Sequence, residues 1–244
     1  MTASFSQLAL RACLAALALI LANCESPPQP TYDREAAAQI KRIGVLTPRM
    51  PEIAAIILDS SPGKGYGFGW IGMAVDGALE GERKARFEQA IRGQNFSAED
   101  ALTESLIAGL QARGYEVARV PVRRDKGDFL KAYPADREPA VNAYLDVVLR
   151  NYGYRASGTG DEHPYRPWAE LRFRLIRARD GAVLLEKAVT YNQFGNPKNI
   201  VAIADESPYR FVTSDMLVAD PQRAVEGMRE ALSRAGQAVG PLLN

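Results

Sequence analysis

The chain has 244 residues, and its 30 lysines and arginines almost balance its 29 aspartates and glutamates. A balanced charge argues against nucleic-acid binding, which needs a basic surface, and an apolar fraction of 47% excludes a mainly disordered chain. One histidine and two cysteines are too few for a His/Cys metal cluster, so we expect no metal and no cofactor.

The first 23 residues have the features of a targeting segment. Residues 1–11 contain one base, Arg11, and no acid. An apolar run follows from Ala12 to Ala22, which is the length of a signal-peptide core and shorter than the roughly 20 residues of a membrane span. The sequence therefore predicts a signal peptide.

The end of this segment carries a recognisable motif. Leu21-Ala22-Asn23-Cys24 resembles the lipobox of bacterial lipoproteins, in which Leu, a small residue and Gly, Ala or Ser precede the Cys. The resemblance implies cleavage before Cys24, a diacylglycerol on its thiol and an acyl chain such as palmitate on its amine. Asn23 departs from the family pattern. An ordinary signal peptide with an incidental Cys and an uncleaved anchor are the alternatives.

A proline-rich stretch follows the cysteine. Residues 25–31 contain three prolines, which favour an extended spacer between a membrane and a folded body. The predicted organisation is a signal peptide, a lipidated tether and one globular domain, at residues 1–23, 24–40 and 41–244.

Strands and helices are both expected in the first half of the body. The run from Lys41 to Thr47 and the apolar run from Ile53 to Leu58 have strand length. A helix is expected over residues 70–93. A second helix is expected between a Ser97 cap and Gly114, because leucines repeat every four residues at Leu102, Leu106 and Leu110.

The second half is predicted to be mostly strands. These strands cover 115–120, 144–154, 168–175 and 182–191, and Asp180-Gly181 is a strong hairpin signal between the last two. A loop is expected to about Ser207. A last helix is expected from the Asp220 cap, with Pro221 at its first position, to about Val239.

This order predicts an α/β or α+β fold. We expect a mixed sheet with a C-terminal antiparallel meander and helices packed mainly on one face. The order loosely resembles curli-secretion and penicillin-binding-protein-activator lipoproteins, with Ile43-Gly44-Val45-Leu46 and Leu145-Asp146-Val147-Val148-Leu149 as the corresponding strands. That resemblance implies an envelope lipoprotein and assigns no site residues.

A glycine-rich segment is the candidate contact surface. Gly67 to Gly72 matches the letters of a dinucleotide-binding loop, but its first glycine lies nine positions beyond the strand that ends at Leu58, so we expect no cofactor there. Four apolar side chains in this segment suit contact with lipid or a protein partner: Phe68, Trp70, Ile71 and Met73. A buried helix at a crowded crossing is the alternative.

Other candidate residues favour surface roles. His163 lies in a polar loop, and the sequence has no G-x-S-x-G nucleophile motif to accompany it. The basic residues Arg119, Arg123, Arg124 and Lys126 are expected on a solvated face or against lipid headgroups.

These features favour a membrane-anchored lipoprotein of the cell envelope, with its body in the periplasm and a non-catalytic binding or accessory role. The expected partners are the membrane, through lipid on Cys24, and an envelope protein, with no nucleic acid. A subunit of an oligomeric export or pore assembly and a carboxylate-dependent hydrolase are the alternatives. The sequence does not distinguish the inner from the outer membrane.

Overall fold

The computed structural model describes residues 39–52, 54–58, 81–124, 128–134, 140–158, 161–192, 200–204 and 206–243. The chain separates into two units, Met1–Pro30 and Thr31–Asn244. The first unit lies outside the described residues, and so does the glycine-rich segment at 63–75. All of the described residues belong to the second unit.

Seven strands form one mixed sheet in the second unit. They are β1 (Arg42–Leu46), β2 (Ala55–Leu58), β3 (Glu116–Val120), β4 (Ala143–Ala156), β5 (Arg166–Arg177), β6 (Val183–Tyr191) and β7 (Ile200–Ile203). The spatial order is β3-β1-β4-β5-β6-β7, and β2 pairs with β4 beyond the end of β1. Strand β4 is therefore the centre of the sheet.

The strand pairing changes from parallel to antiparallel at β4. Strand β1 pairs in parallel with β3 and β4, and β2 pairs in parallel with β4. Strands β4, β5 and β6 form the predicted antiparallel meander, in which Gly181 at the Asp180-Gly181 turn has a φ of 71°. The predicted mixed sheet is confirmed.

Helices cover one face of this sheet. They are α1 (81–91 in its described part), α2 (Ala98–Gln111), α3 (Ser214–Ala219) and α4 (Pro221–Gln237), and a 3₁₀ helix spans Gly240–Leu243. The main core lies between the two long helices, α2 and α4, and the inward side chains of the strands. Leu106 of α2, Leu232 of α4, Leu149 of β4 and Phe173 of β5 are among its buried residues. None of the helices in the described part of the chain has the length and apolar character that a membrane crossing needs.

The N-terminal ends of both long helices follow from their sequences. The Ser97 hydroxyl accepts a hydrogen bond from Asp100 N at 3.2 Å, and the Asp220 carboxylate accepts one from Arg223 N at 3.2 Å. Apolar residues three or four apart then bury one side of α4: Ala224, Met228, Ala231, Leu232 and Ala235.

Close packing joins α2 to the C-terminal end of α4. A Cβ on Gly109 would lie 2.8 Å from Cα and 2.9 Å from the carbonyl oxygen of Gln237. A Cβ on Gly240 would lie 2.3 Å from the carbonyl oxygen of Gly109. Only glycine allows the two backbones to approach this closely, so these positions fix the spacing of the helix layer.

Residues 121–134 and 140–141 lie over the opposite face in their described parts. There Leu46, Val120, Tyr144 and Ile176 form a small buried cluster. Side chains from the covering residues pack against it, namely Val122, Leu130, Tyr133 and Val141. One face of the sheet is thus covered by helices and the other in part by irregular chain.

Three elements were absent from the sequence prediction, and one of them is the 3₁₀ helix at Gly240–Leu243. The expected loop before Ser207 contains β7, a four-residue strand that pairs in parallel with β6. Helix α3 has only six residues and directly precedes α4. All three are too short for a hydrophobic period to indicate them.

We predict that Gly109→Ala destabilises the body by about 1–3 kcal/mol, because the clash with the Gln237 backbone outweighs the better helix propensity of alanine. Urea unfolding would measure the loss. Gly93→Ala is the matched control, since nothing lies within 4 Å of the added Cβ. Equal stability of the two variants would contradict the packing argument.

Candidate functional site

A buried aspartate organises the face opposite the helices. The Asp146 side chain of β4 is fully buried, and Arg124, which is 11% exposed, donates to its Oδ1 from Nη2 at 2.6 Å. The backbone N of Leu130 donates to Oδ2 at 2.9 Å, and the Tyr133 hydroxyl donates to the same oxygen at 3.2 Å. One carboxylate therefore accepts hydrogen bonds from three residues of the segment that covers this face. We call this segment, residues 121–124 and 128–134, the covering chain.

Further contacts fix the same covering chain. Arg124 Nε donates to the carbonyl oxygen of Thr47 at 2.6 Å, and the Tyr144 hydroxyl donates to the carbonyl oxygen of Pro134 at 2.9 Å. Burial, together with the charge and the hydrogen bond of Asp146, raises the pKa of Tyr133 to about 12, although Arg174 acts to lower it. Tyr133 therefore stays protonated and remains a hydrogen-bond donor to Asp146 near neutral pH.

The basic residues between Arg119 and Lys126 do not lie in the same environment. Arg124 is buried against Asp146, contrary to the expected solvated face, because it neutralises a carboxylate inside the fold. Arg119 and Arg123 are exposed as expected, and Arg119 lies 3.9 Å from Glu104. Lys126 lies outside the described residues.

A pocket opens beside the buried aspartate, between the covering chain and strands β5 and β6. It has a volume of about 570 Å³. We call it the arginine pocket, and the lining side chains used below are Asp128, Phe129, Leu130, Lys131, Tyr133, Arg172, Arg174 and Val183. The three cations and one carboxylate of this lining leave an excess of two positive charges.

The two arginines of the pocket are held in place from behind. Arg172 and Arg174 are both on β5, two residues apart and on the same face. Each donates to Glu186, which stands opposite Arg174 on β6, and the Arg174 Nε–Oε2 distance is 2.7 Å. Their guanidinium carbons lie 5.3 Å and 4.2 Å from the centroid of the Phe129 ring. Ion pairs and stacking together restrict both guanidinium groups.

The ionisation of Glu186 follows from these contacts. Burial acts to raise its pKa, but the hydrogen bonds and charges of Arg174 and Arg172 outweigh that effect, so the pKa lies below its ordinary value. Glu186 is therefore an ionised acceptor and not a proton donor. A carboxylic acid that donates a proton during hydrolysis would need a pKa raised above its ordinary value.

The rim of the pocket also carries a carboxylate. Asp128 Oδ2 accepts from Arg150 Nη2 at 2.8 Å and lies 3.6 Å from Arg172 Nη1. Lys131 has no ion-pair partner among the described residues and is exposed. It is the cation of this lining most available to a ligand.

Two other cavities have less distinct chemistry. A groove of about 470 Å³ between α2 and α4 mixes Asp100, Glu104 and Arg229 with neutral polar residues. A cavity of about 530 Å³ near Tyr209 is lined by Glu226, Arg229 and Glu230. Neither concentrates charge of one sign.

The single histidine is on the surface. His163 Nδ1 lies 3.0 Å from Ser157 Oγ across a short loop, and His163 is exposed, as expected. No carboxylate among the described residues forms an ion pair with its ring. The described residues also contain no group of three or more His, Cys, Asp or Glu arranged to hold a metal.

The structure does not bear on the predicted lipidation site or on the candidate contact surface. Cys24, Phe68, Trp70, Ile71 and Met73 all lie outside the described residues. Sequence reasoning missed the arginine pocket. A signal was present in the alternation of Arg172 and Arg174 along a strand whose hairpin partner carries Glu186.

No protein-family model and no curated protein matches the chain. Solved structures that resemble it include a Xanthomonas campestris protein of family DUF330, with 15% identity, a TM-score of 0.44, and coverage of 89% of this chain and 88% of that one. A candidate lipoprotein of Caulobacter crescentus has 14% identity, a TM-score of 0.29, and coverage of 60% and 80%. The PelC dodecamer of Paraburkholderia phytofirmans has 13% identity, a TM-score of 0.30, and coverage of 87% and 92%. The chain is thus similar to lipoproteins among other proteins, at values too low to carry an argument about family or role.

We predict that Asp146→Asn lowers the free energy of unfolding by about 3–5 kcal/mol, because it leaves the buried Arg124 charge without its partner. Urea unfolding at neutral pH would measure the loss. Glu88→Gln, which breaks an exposed pair with Arg92, is the control and should cost less than about 0.5 kcal/mol. Equal losses in the two variants would contradict a central role for Asp146.

A second prediction concerns acid sensitivity. Because the native pKa of Glu186 is lowered, its contribution to stability is present above the ordinary value of 4.5 and is lost as pH falls through the native value. Urea unfolding of Glu186→Gln and of the unaltered chain should therefore differ most at pH 7 and converge toward pH 3. Glu104→Gln serves as the control variant. If the difference in unfolding free energy between Glu186→Gln and the unaltered chain grows on acidification, the pKa of Glu186 is not lowered and the prediction is wrong.

Proposed function

We propose that the chain is a lipid-anchored protein of the cell envelope that holds its α/β body beside a membrane and acts there as a non-catalytic binding or accessory module. Lipid on Cys24 is the anchor, residues 25–31 are the spacer, and the arginine pocket is the binding site. The body lies in the periplasm in this proposal.

One observation supports binding over catalysis. Apart from Lys131, each ionisable side chain named for the arginine pocket is already engaged in an ion pair or a hydrogen bond. Asp128 pairs with Arg150, the two arginines share Glu186, and Tyr133 donates to Asp146. Groups fixed in this way suit the recognition of a ligand, whereas a general base or a nucleophile needs a free lone pair.

The anchor is supported by the order of features along the sequence. An apolar run ends in Leu21-Ala22-Asn23-Cys24, prolines follow at once, and the folded body begins only after them. Two or more acyl chains give stable attachment, because each buried methylene contributes about 0.8 kcal/mol. The same order gives the body freedom to reach a ligand near the bilayer.

We predict that Cys24→Ala abolishes acylation and leaves the chain unprocessed or released into the soluble fraction. Intact-mass analysis and membrane fractionation would measure both. Cys13→Ala is the matched control, since Cys13 lies inside the segment that is removed, and this variant should be processed normally. A mature N-terminus at another position without fatty acid would overturn the anchor.

A further inference from the structure

The geometry points to a phosphomonoester as the ligand of the arginine pocket, with its phosphate bound by Lys131, Arg172 and Arg174. This inference rests on the proposed function, because it names the ligand class of the binding site given there.

Charge is the first argument. The pocket lining has an excess of two positive charges, and adding Glu186 and Arg150 from its surroundings leaves that excess unchanged. A phosphomonoester carries about −1.5 to −2 near neutral pH, whereas a carboxylate carries −1. The negative charge of Asp146 does not oppose the ligand, since Arg124 neutralises it.

The second argument is the orientation of the arginines. Glu186 accepts from Nη2 of Arg172 and from Nε of Arg174, so each planar group keeps further N–H donors. Stacking on Phe129 limits the rotation of both groups. Preoriented guanidinium groups favour a tetrahedral oxyanion, because several donors can meet its oxygens together.

Size and lining indicate that the phosphate belongs to a larger molecule. A volume of about 570 Å³ is far more than one phosphate fills and lies within the range of small-molecule sites. Leu130 and Val183 offer apolar surface beside the cations. An organic group esterified to the phosphate would contact these side chains.

Two sources can supply such a group near a membrane. One is a soluble sugar phosphate, and the other is a lipid whose headgroup is a phosphate monoester. Both present the same oxyanion to Lys131 and the two arginines, so the experiment needs one arm for each source.

The test measures the melting temperature of the full-length chain. In neutral detergent, glucose 6-phosphate is the soluble probe and glucuronate its carboxylate control. In phosphatidylcholine bilayers, phosphatidic acid is the lipid probe and phosphatidylglycerol, a diester, its control. We expect a phosphomonoester in at least one arm to raise the melting temperature by several degrees, and its control to have little effect.

Variants test the residues. Arg174→Gln should raise the half-saturating probe concentration about tenfold, since a charge-assisted contact is lost. Lys131→Gln should weaken binding in the same direction and, having no ion pair to lose among the described residues, should fold normally. Arg119→Gln on the exposed edge strand β3 is the control and should bind as the unaltered chain does.

Three results would overturn the inference: no rise with either phosphomonoester, an equal rise with glucuronate or phosphatidylglycerol, or a rise that persists in both Arg174→Gln and Lys131→Gln. The anchor is judged separately by the mass of the mature chain. Loss of the anchor would leave the glucose 6-phosphate arm interpretable, and loss of phosphate binding would leave the anchor intact.

Discussion

The ion pair between Asp146 and Arg124 is the interaction on which the second face of the sheet depends. A carboxylate on the central strand is costly to bury alone, and its burial is compensated by a guanidinium, a backbone N–H and a hydroxyl, all from the covering chain. Those three donors come from Arg124, Leu130 and Tyr133. The charge that must be neutralised therefore determines where residues 121–124 and 128–134 lie.

The arginine pocket is a product of that attachment. Phe129 and Lys131 flank Leu130, whose N–H is bound to Asp146, so their positions over β5 follow from the buried pair. Arg172 and Arg174 reach the pocket independently, through the alternation of β5. The buried ion pair and the arginine pocket are thus two parts of one arrangement, and the first gives the second its rigidity.

Local chemistry allowed much of the fold to be predicted. The Ser97 and Asp220 caps, the proline after Asp220 and the Asp180-Gly181 turn each act within a few residues, and each has the predicted role. The alternation of residues 168–175 indicated one buried face and an antiparallel neighbour, both of which are present. Strand β7 and helix α3 were missed, because four and six residues are too few to establish a period.

The pocket was missed for a different reason. Asp146 and Arg124 are 22 residues apart, and no local pattern distinguishes a basic residue that folds inward from one that remains in water. The pairing of Arg174 with Glu186 depends on strand register, which shifts at an irregularity between Leu175 and Ile176. Counting outward from the turn therefore does not identify the partners unless that shift is known.

The large sequence separation between β1 and its neighbours in the sheet also affects the time course of folding. Ile43 of β1 pairs with Ala143 of β4, and Gly44 pairs with Ala118 of β3, so the first strand of the body contacts no sheet neighbour until much of the chain has been made. Contacts between such distant residues close slowly, because a long loop must be ordered first. A chain synthesised from its N-terminus therefore keeps β1 without β3 and β4 until the middle of the sequence has emerged, and the core assembles only after that.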